Sequence, residues 1–443
     1  MNSLFLLLVA AASLFTSVLG TEPARRKVAY TGQRVIRCHY SPANDLDTVS
    51  LRSRLLNDPL LDVWAIGANG SIDVRVSDAG EAGLRIQRQL EEQFDNCSVR
   101  VADVETLVQT FEAAQKQKEQ QEWHEEYHRY EDIFAWYEAK NQSHPELVTM
   151  RIAGVSYEER PMPAVHITAG SGEEKLKIYF QCQIHAREWI SGAVCMFIVH
   201  YLLENYGVDE RVTTVLNELE LIVVPFVNPD GYSYSWDGDR LWRKNRRVNS
   251  GTSCRGVDLN RNYNDHWNEG GSSNNPCSET FHGAFAASEP ETQVTSNYFM
   301  NTGRIVGAID WHSYSQLILR PYGWTSVDAP DEPWLKALGD GMSAVAYEVH
   351  NRRYTSQKSI GLYPTTGSAD DWFYGEEATA ANRGYRAAGY TIELRDTGQY
   401  GFLLPPDQII PNGEEMVAAA LYFCQACLDN PIPAPSRLFF NGD

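Results

Sequence analysis

Residues 183–189 read "QIHAREW" and place His185, Arg187 and Glu188 within four positions, directly after the apolar stretch "KIYFQCQI". An imidazole and a carboxylate three positions apart can ligate a divalent metal. Taken alone, H-x-x-E equally suits a surface histidine beside a solvated or arginine-paired glutamate. Two distant residues change that balance. "GAIDWHSYSQ" ends an apolar strand on His312, and "YTIELRD" sets Glu393 inside a strand of otherwise buried character. A lone carboxylate in such a place is costly unless it is paired or used. Two imidazoles and one carboxylate leave a coordination position open, as a catalytic zinc requires. His185, Glu188, His312 and Glu393 together supply two imidazoles and a carboxylate for the metal, with one carboxylate left over as a base.

These residues need a scaffold that gathers them at one edge. From about Tyr127 onward, "LKIYFQCQI", "LELIVVPFV", "RIVGAIDWH" and "GYTIELRD" alternate with longer helical stretches. Near-continuous apolar strands separated by helices predict an α/β fold with a mostly parallel sheet covered on both faces. Ligands in such folds bind beyond the carboxyl ends of the strands. A helix is expected near Trp189, since Ile190, Val194, Phe197 and Tyr201 follow at helical spacing. The region before it is different. Residues 27–104 read β-α-β-β-α-β, with a turn at Asn69-Gly70, which is the order of a small ferredoxin-like α+β module. From "VETLVQTF" a helix is expected to run into a polar, Lys/Gln/Glu-rich stretch with no apolar face after about Ala114. Residues 105–118 read as a connector, and Lys116 and Lys118 within it offer cleavage points to a trypsin-like protease.

The chain has 443 residues and a formal net charge of −20, which argues against a phosphate-backbone binder. Its first 20 residues carry an apolar segment that gives way to "TEPARRK", the form of a secretory signal peptide cleaved after Gly20. No later stretch is long and apolar enough to span a membrane. Eight cysteines suit export, because an oxidising compartment permits disulfides. Cys424 and Cys427 read as a local bridge or two core thiols rather than a redox motif, and Asn69, Asn96 and Asn141 lie in glycosylation sequons.

The motifs "IHAREWI", "VVPFVNPDGY", "RLWRKNR", "GVDLNRNY", "DWHSYSQ", "DDWFY" and "ELRDTGQYGFLLP" together resemble the secreted zinc carboxypeptidases of the pancreatic A/B type. The resemblance covers essentially everything after the signal peptide, and the two-histidine, one-glutamate zinc set is itself known from that family. It implies one Zn²⁺ held by His185, Glu188 and His312, with Asp258 orienting the first histidine from behind. It implies Glu393 as general base and Arg243 as the cation that meets the oxyanion. Asn260, Arg261 and Tyr363 match the groups that hold a substrate's terminal carboxylate, and Arg187 a residue lining subsites further along the peptide. The domains then read as signal peptide 1–20, propeptide 21–104, connector 105–118 and catalytic domain 119–443. The implied partners are peptides or proteins with a free C-terminus and an activating trypsin-like protease. Neither nucleic acid nor membrane is expected as a partner, and the chain is expected to be a monomer.

Asp370, in "SADDWFY", falls where members specific for basic residues carry an acid, and such an acid would attract a C-terminal Lys or Arg. The alternative is that Asp370 caps the helix starting near Trp372. Cys182 and Cys195 match a bridge of B-type members, and Cys254 and Cys277 one found in both types. "GSADDW" departs from the usual second glycine and serine, so an A-type enzyme releasing aromatic or aliphatic residues stays open. More remote are another zinc amidohydrolase, such as a deacylase, and an inactive binding module. The former has no need of Asn260, Arg261 and Tyr363, and the latter no need of a complete ligand set with its base.

Overall fold

A computed structural model describes residues 27–39, 55–56, 58, 61–67, 70–77, 81–94, 96–116, 122–171 and 174–436. The signal-peptide reading, Asn69 of the turn, Lys118 and most of the helix expected around 50–58 lie outside them. The first unit comprises β1 (Gln33–His39), β2 (Asp62–Ile66), β3 (Ser71–Ser77), α1 (Glu81–Gln93), β4 (Asn96–Val101) and α2 (Val104–Lys116). Its four strands form an antiparallel sheet ordered β2-β3-β1-β4.

The second unit begins with α3 (Tyr130–Ser143), β5 (Val148–Val155), β6 (Pro161–Ile167), β7 (Leu176–Cys182), α4 (Trp189–Asn205), α5 (Glu210–Glu218), β8 (Leu219–Val224) and α6 (Pro229–Asp237). It continues through α7 (Pro290–Thr302), β9 (Ile305–His312), β10 (Leu317–Arg320), α8 (Glu332–His350), β11 (Thr355–Lys358), α9 (Ala369–Tyr374) and α10 (Glu376–Ala381). It closes with β12 (Tyr385–Arg386), β13 (Ala388–Glu393), α11 (Ile409–Asp429) and β14 (Ile432–Pro433). Eight strands form one mixed sheet ordered β11-β10-β13-β9-β7-β8-β6-β5. Its centre, β13-β9-β7-β8, is parallel, as the apolar runs require, and antiparallel neighbours flank it.

Alternation along the strands divides the core into two layers. Phe180, Leu221, Val223, Ile309 and Trp311 face a layer containing α4 and α11. Tyr179, Ile222, Val224 and Ala308 face Phe299 of α7 and Trp372 and Phe373 of α9. Helix α4 is apolar on nearly every side and starts at Trp189, so it is a buried helix and a rigid mount for the residues before it. Three disulfides join Cys38 to Cys97, Cys182 to Cys195 and Cys254 to Cys277, while Cys424 and Cys427 are buried, unbridged thiols.

The helix expected to run into the connector is α2, whose Val104, Val108 and Phe111 share a face and are buried. Phe111 lies 5.6 Å from Trp189 and under the guanidinium of Arg240. Burying side chains of this kind contributes roughly 1.5–3 kcal/mol each, so the segment is a docked helix up to Lys116. The apolar positions lie i, i+4 and i+7 apart, on one helical face.

Candidate active site

Strand β7 ends at Cys182, and Gln183 turns the chain with a positive φ of 58°. The Gln183 side chain holds that turn: its amide donates to the carbonyls of His185 and Ala186, and its oxygen accepts from the N–H of Gly192. A Cβ at Gly192 would sit 2.9 Å from that oxygen, which accounts for the glycine. His185 and Glu188 are thus fixed in the turn between β7 and α4. On β9, Asp310 and His312 share a face, two residues apart. Glu393 of β13 is the cross-strand partner of His312, so the two side chains emerge side by side.

His185, Glu188 and His312 offer ligand atoms within 4.8 Å of one another, and all three are buried. The Nδ1 atoms of His185 and His312 face the Glu188 carboxylate at 2.8 and 3.1 Å. The other nitrogen of each ring has its own carboxylate: Asp258 Oδ1 lies 3.0 Å from His185 Nε2, and Asp310 Oδ2 2.7 Å from His312 Nε2. The N–H of Ser313 donates to Glu188 at 3.1 Å. Two imidazoles and a carboxylate, each oriented from behind, match the donor chemistry of a zinc centre.

Arg243 donates to Asp258 at 3.0 Å and stands 3.7 Å from Glu188. Burial pushes the Asp258 carboxyl up, but Arg243 and then His185 outweigh it and hold the acid well below its usual range. Burial pushes Glu393 up to about 8; His312 and Arg243 oppose this, while Glu188 and Asp310 add to it. A carboxyl near neutrality is suited to accepting and returning a proton.

Asp258 also builds the neighbouring turn by accepting from the N–H of Asn260, which projects Asn260 and Arg261 into the same cleft. Asn260 binds the N–H of Ala369 at 2.8 Å and approaches His312 Nε2 at 3.3 Å. Arg261 donates to the carbonyls of Asn260 and Gly271, leaving Nη2 buried without a partner among the described residues. Its guanidinium lies 5.8 Å from the Tyr363 ring. An unsatisfied guanidinium N–H beside a cavity is a place for an oxyanion.

The first unit covers the cleft. The cavity over these residues measures about 60 Å³ and is lined by His185, Glu188, Arg243, Asn260, Arg261 and Glu393 on one side. Leu56, Leu61, Val63, Trp64, Ala65 and Ile66 of the first unit form the other side. It has room for a few waters and not for the end of a peptide. Arg187 does not neutralise Glu188. It donates to Asp62 of β2 at 2.9 Å and lies 4.1 Å from the Phe402 ring. Burial acts to raise the Asp62 carboxyl, yet Arg75 and Arg187 pull it down to about 2.

Asp370 is buried in the first turn of α9, where it accepts from Ser359 Oγ at 2.7 Å. The N-cap of α9 is Ser368, and no side-chain cap bond is made there. The Asp370 carboxylate is therefore directed at Ser359 and not at the helix end, so the capping alternative does not describe it. Asp371 accepts from the N–H groups of Gly323 and Trp324, and its carboxyl stands well above the usual range through burial and the charges of Asp370 and Asp265. Among the described residues, no lysine or arginine pairs with Asp265, Asp370 or Asp371.

Two contributors were not picked out by sequence reasoning. Asp310 carried a readable signal, D-x-H on a strand, which puts acid and imidazole on one face. Asp62 carried none, because its role depends on how the two units dock.

Comparison with known proteins gives a consistent picture. The zinc carboxypeptidase family model matches residues 133–419. Carboxypeptidase B2 of Homo sapiens is 37% identical over 329 residues, covering 73% of this chain and 76% of that protein. Carboxypeptidase A1 of Bos taurus is 31% identical over 432 residues, covering 96% and 99%. The crystal structure of carboxypeptidase A from Helicoverpa armigera superposes with a TM-score of 0.80 at 27% identity, over 91% of this chain and 99% of that one.

Proposed function

The chain belongs to the zinc carboxypeptidase family, and from that premise we propose that it is a secreted zymogen, activated by a trypsin-like protease, that removes C-terminal Lys or Arg from peptides and proteins. The observation that carries this reading is one cleft uniting the His185–Glu188–His312 donor set with Glu393 and the unpartnered Nη2 of Arg261. An endopeptidase has no use for a buried cation waiting for a carboxylate.

In this reading His185, Glu188 and His312 hold Zn²⁺, which when bound supplies Lewis acidity and an activated water. Arg261, Asn260 and Tyr363 hold the substrate's terminal carboxylate, and Arg261 offers it a planar fork. Arg243, pinned by Asp258, meets the charge that develops on the scissile carbonyl oxygen. Glu393 takes the proton from the attacking water and passes it to the leaving amine. Arg187 lines the subsites further along the peptide. Asp370 gives the base of the side-chain pocket a negative charge that favours Lys and Arg. Similarity to both B- and A-type relatives keeps an A-type preference as the second reading.

Residues 1–20 as an export signal and three disulfides support secretion. Domain limits of 21–104 for the propeptide, 105–118 for the activation segment and 119–443 for the catalytic part complete the proposal. Latency follows from the first unit closing the cleft, with Asp62 engaging Arg187. The uncut chain is expected to be nearly silent. Trypsin treatment should switch on release of C-terminal residues, and a zinc chelator should abolish it. Asp62→Ala, which strips roughly 2–5 kcal/mol from the closed state by leaving Arg187 unpaired, should give measurable activity without trypsin. An uncut wild-type chain as active as the cut one would refute the zymogen reading.

A further inference from the structure

We propose that Asp310 is a positioning residue for His312, so that both metal-facing histidines are backed by carboxylates and the centre holds its zinc more tightly than Asp258 alone would allow. This rests on the zinc-site reading above.

Asp310 is fully buried, and its Oδ2 lies 2.7 Å from His312 Nε2. Among the described residues no lysine or arginine pairs with it, and its Oδ1 has no hydrogen-bond partner. The residue opposite on β7 is Gln181, whose Nε2 is likewise without a partner and whose Oε1 accepts from Tyr263 at 3.2 Å. A bare carboxylate in such surroundings costs more than the serine or asparagine that would also fit a strand position. Its one strong contact is the imidazole whose far nitrogen faces Glu188 at 3.1 Å.

The geometry repeats that of His185, where Asp258 sits behind the ring and Glu188 in front. A carboxylate at Nε2 keeps the proton on that nitrogen. The Nδ1 lone pair is then free for the metal, and the ring is the more basic for it. The competing contact, the Asn260 amide nitrogen at 3.3 Å, would favour the opposite tautomer. Asp310 decides between them. The strand alternation that turns Trp311 into one core layer turns Asp310 and His312 together into the site.

The test is chelator competition on the uncut chain, with zinc as the probe. Wild type should bind one zinc, and His312→Ala should lose it; a wild type that binds none would refute the zinc-site reading itself. Asp310→Asn keeps the volume and removes the charge. It should raise the zinc dissociation constant by roughly 10- to 100-fold and change the visible spectrum of the cobalt-loaded protein, with circular dichroism as for wild type. Asp310→Ser, smaller and neutral, should weaken zinc similarly and serves if the asparagine variant fails to fold. A folded neutral variant with the wild-type zinc constant and cobalt spectrum would overturn the proposal.

Discussion

Replacing Glu393 with glutamine is expected to lower kcat/KM of the trypsin-treated enzyme by roughly 10²–10⁴-fold while one zinc per chain is retained. The side chain is nearly isosteric and stands beside His312 on the neighbouring strand, so the ligands keep their places. Only the ability to accept a proton is lost. Folding should not suffer, because Glu393 is a buried carboxyl whose charged form burial disfavours, and an amide carries no charge to desolvate. Reading kcat/KM together with zinc content separates the two consequences. Lost activity with zinc present identifies a base; lost activity with lost zinc makes Glu393 part of the metal's support. Unchanged activity would remove it from the mechanism.

The second large effect concerns the residue that is released. Asp370→Ala should lower kcat/KM on peptides ending in Arg or Lys by about 30- to 4,000-fold, the equivalent of roughly 2–5 kcal/mol for removing one partner of a buried charge pair. Peptides ending in Phe or Leu should change little or improve. The neighbouring acids sharpen the test. Asp371 is tied to two backbone N–H groups and holds the loop at Gly323, whereas Asp370 accepts only from Ser359 among the described residues. A purely structural Asp370 would depress all four substrates alike, and that outcome would return the preference to the A-type reading.

Why some of this could be read from residue order and some could not has a physical explanation. The His185/Glu188 pair was legible because both residues lie in one turn after an apolar strand. His312 and Glu393 were legible because polar residues stand out inside strands that are otherwise buried. The parallel centre of the sheet followed from apolar runs that only a sheet covered on both faces can accommodate. The Cys38–Cys97 bridge was not readable, since the even cysteine count leaves the connectivity open and only the pairing of β1 with β4 brings these two together. Helix α2 was legible as a helix from the spacing of its apolar residues, but the surface it docks on, Trp189 and Arg240, was not. The Asp62–Arg187 contact joins residues 125 positions apart, one on β2 and the other in the turn after β7, and no local pattern announces it. The helix expected to start near Trp372 starts at Ala369 and takes Asp370 into its first turn, and the direction of the Asp370 carboxylate was a matter of tertiary packing around Ser359.

The most direct test of a site built to hold a chain end is a matched pair of peptides. Both end in Arg; one carries the free carboxylate and the other a C-terminal amide. With trypsin-activated enzyme, the free acid should be cleaved and the amide should lose several orders of magnitude in kcat/KM, because the amide leaves Arg261 buried without its counter-charge. Cleavage of both peptides at similar rates would contradict the account at its centre.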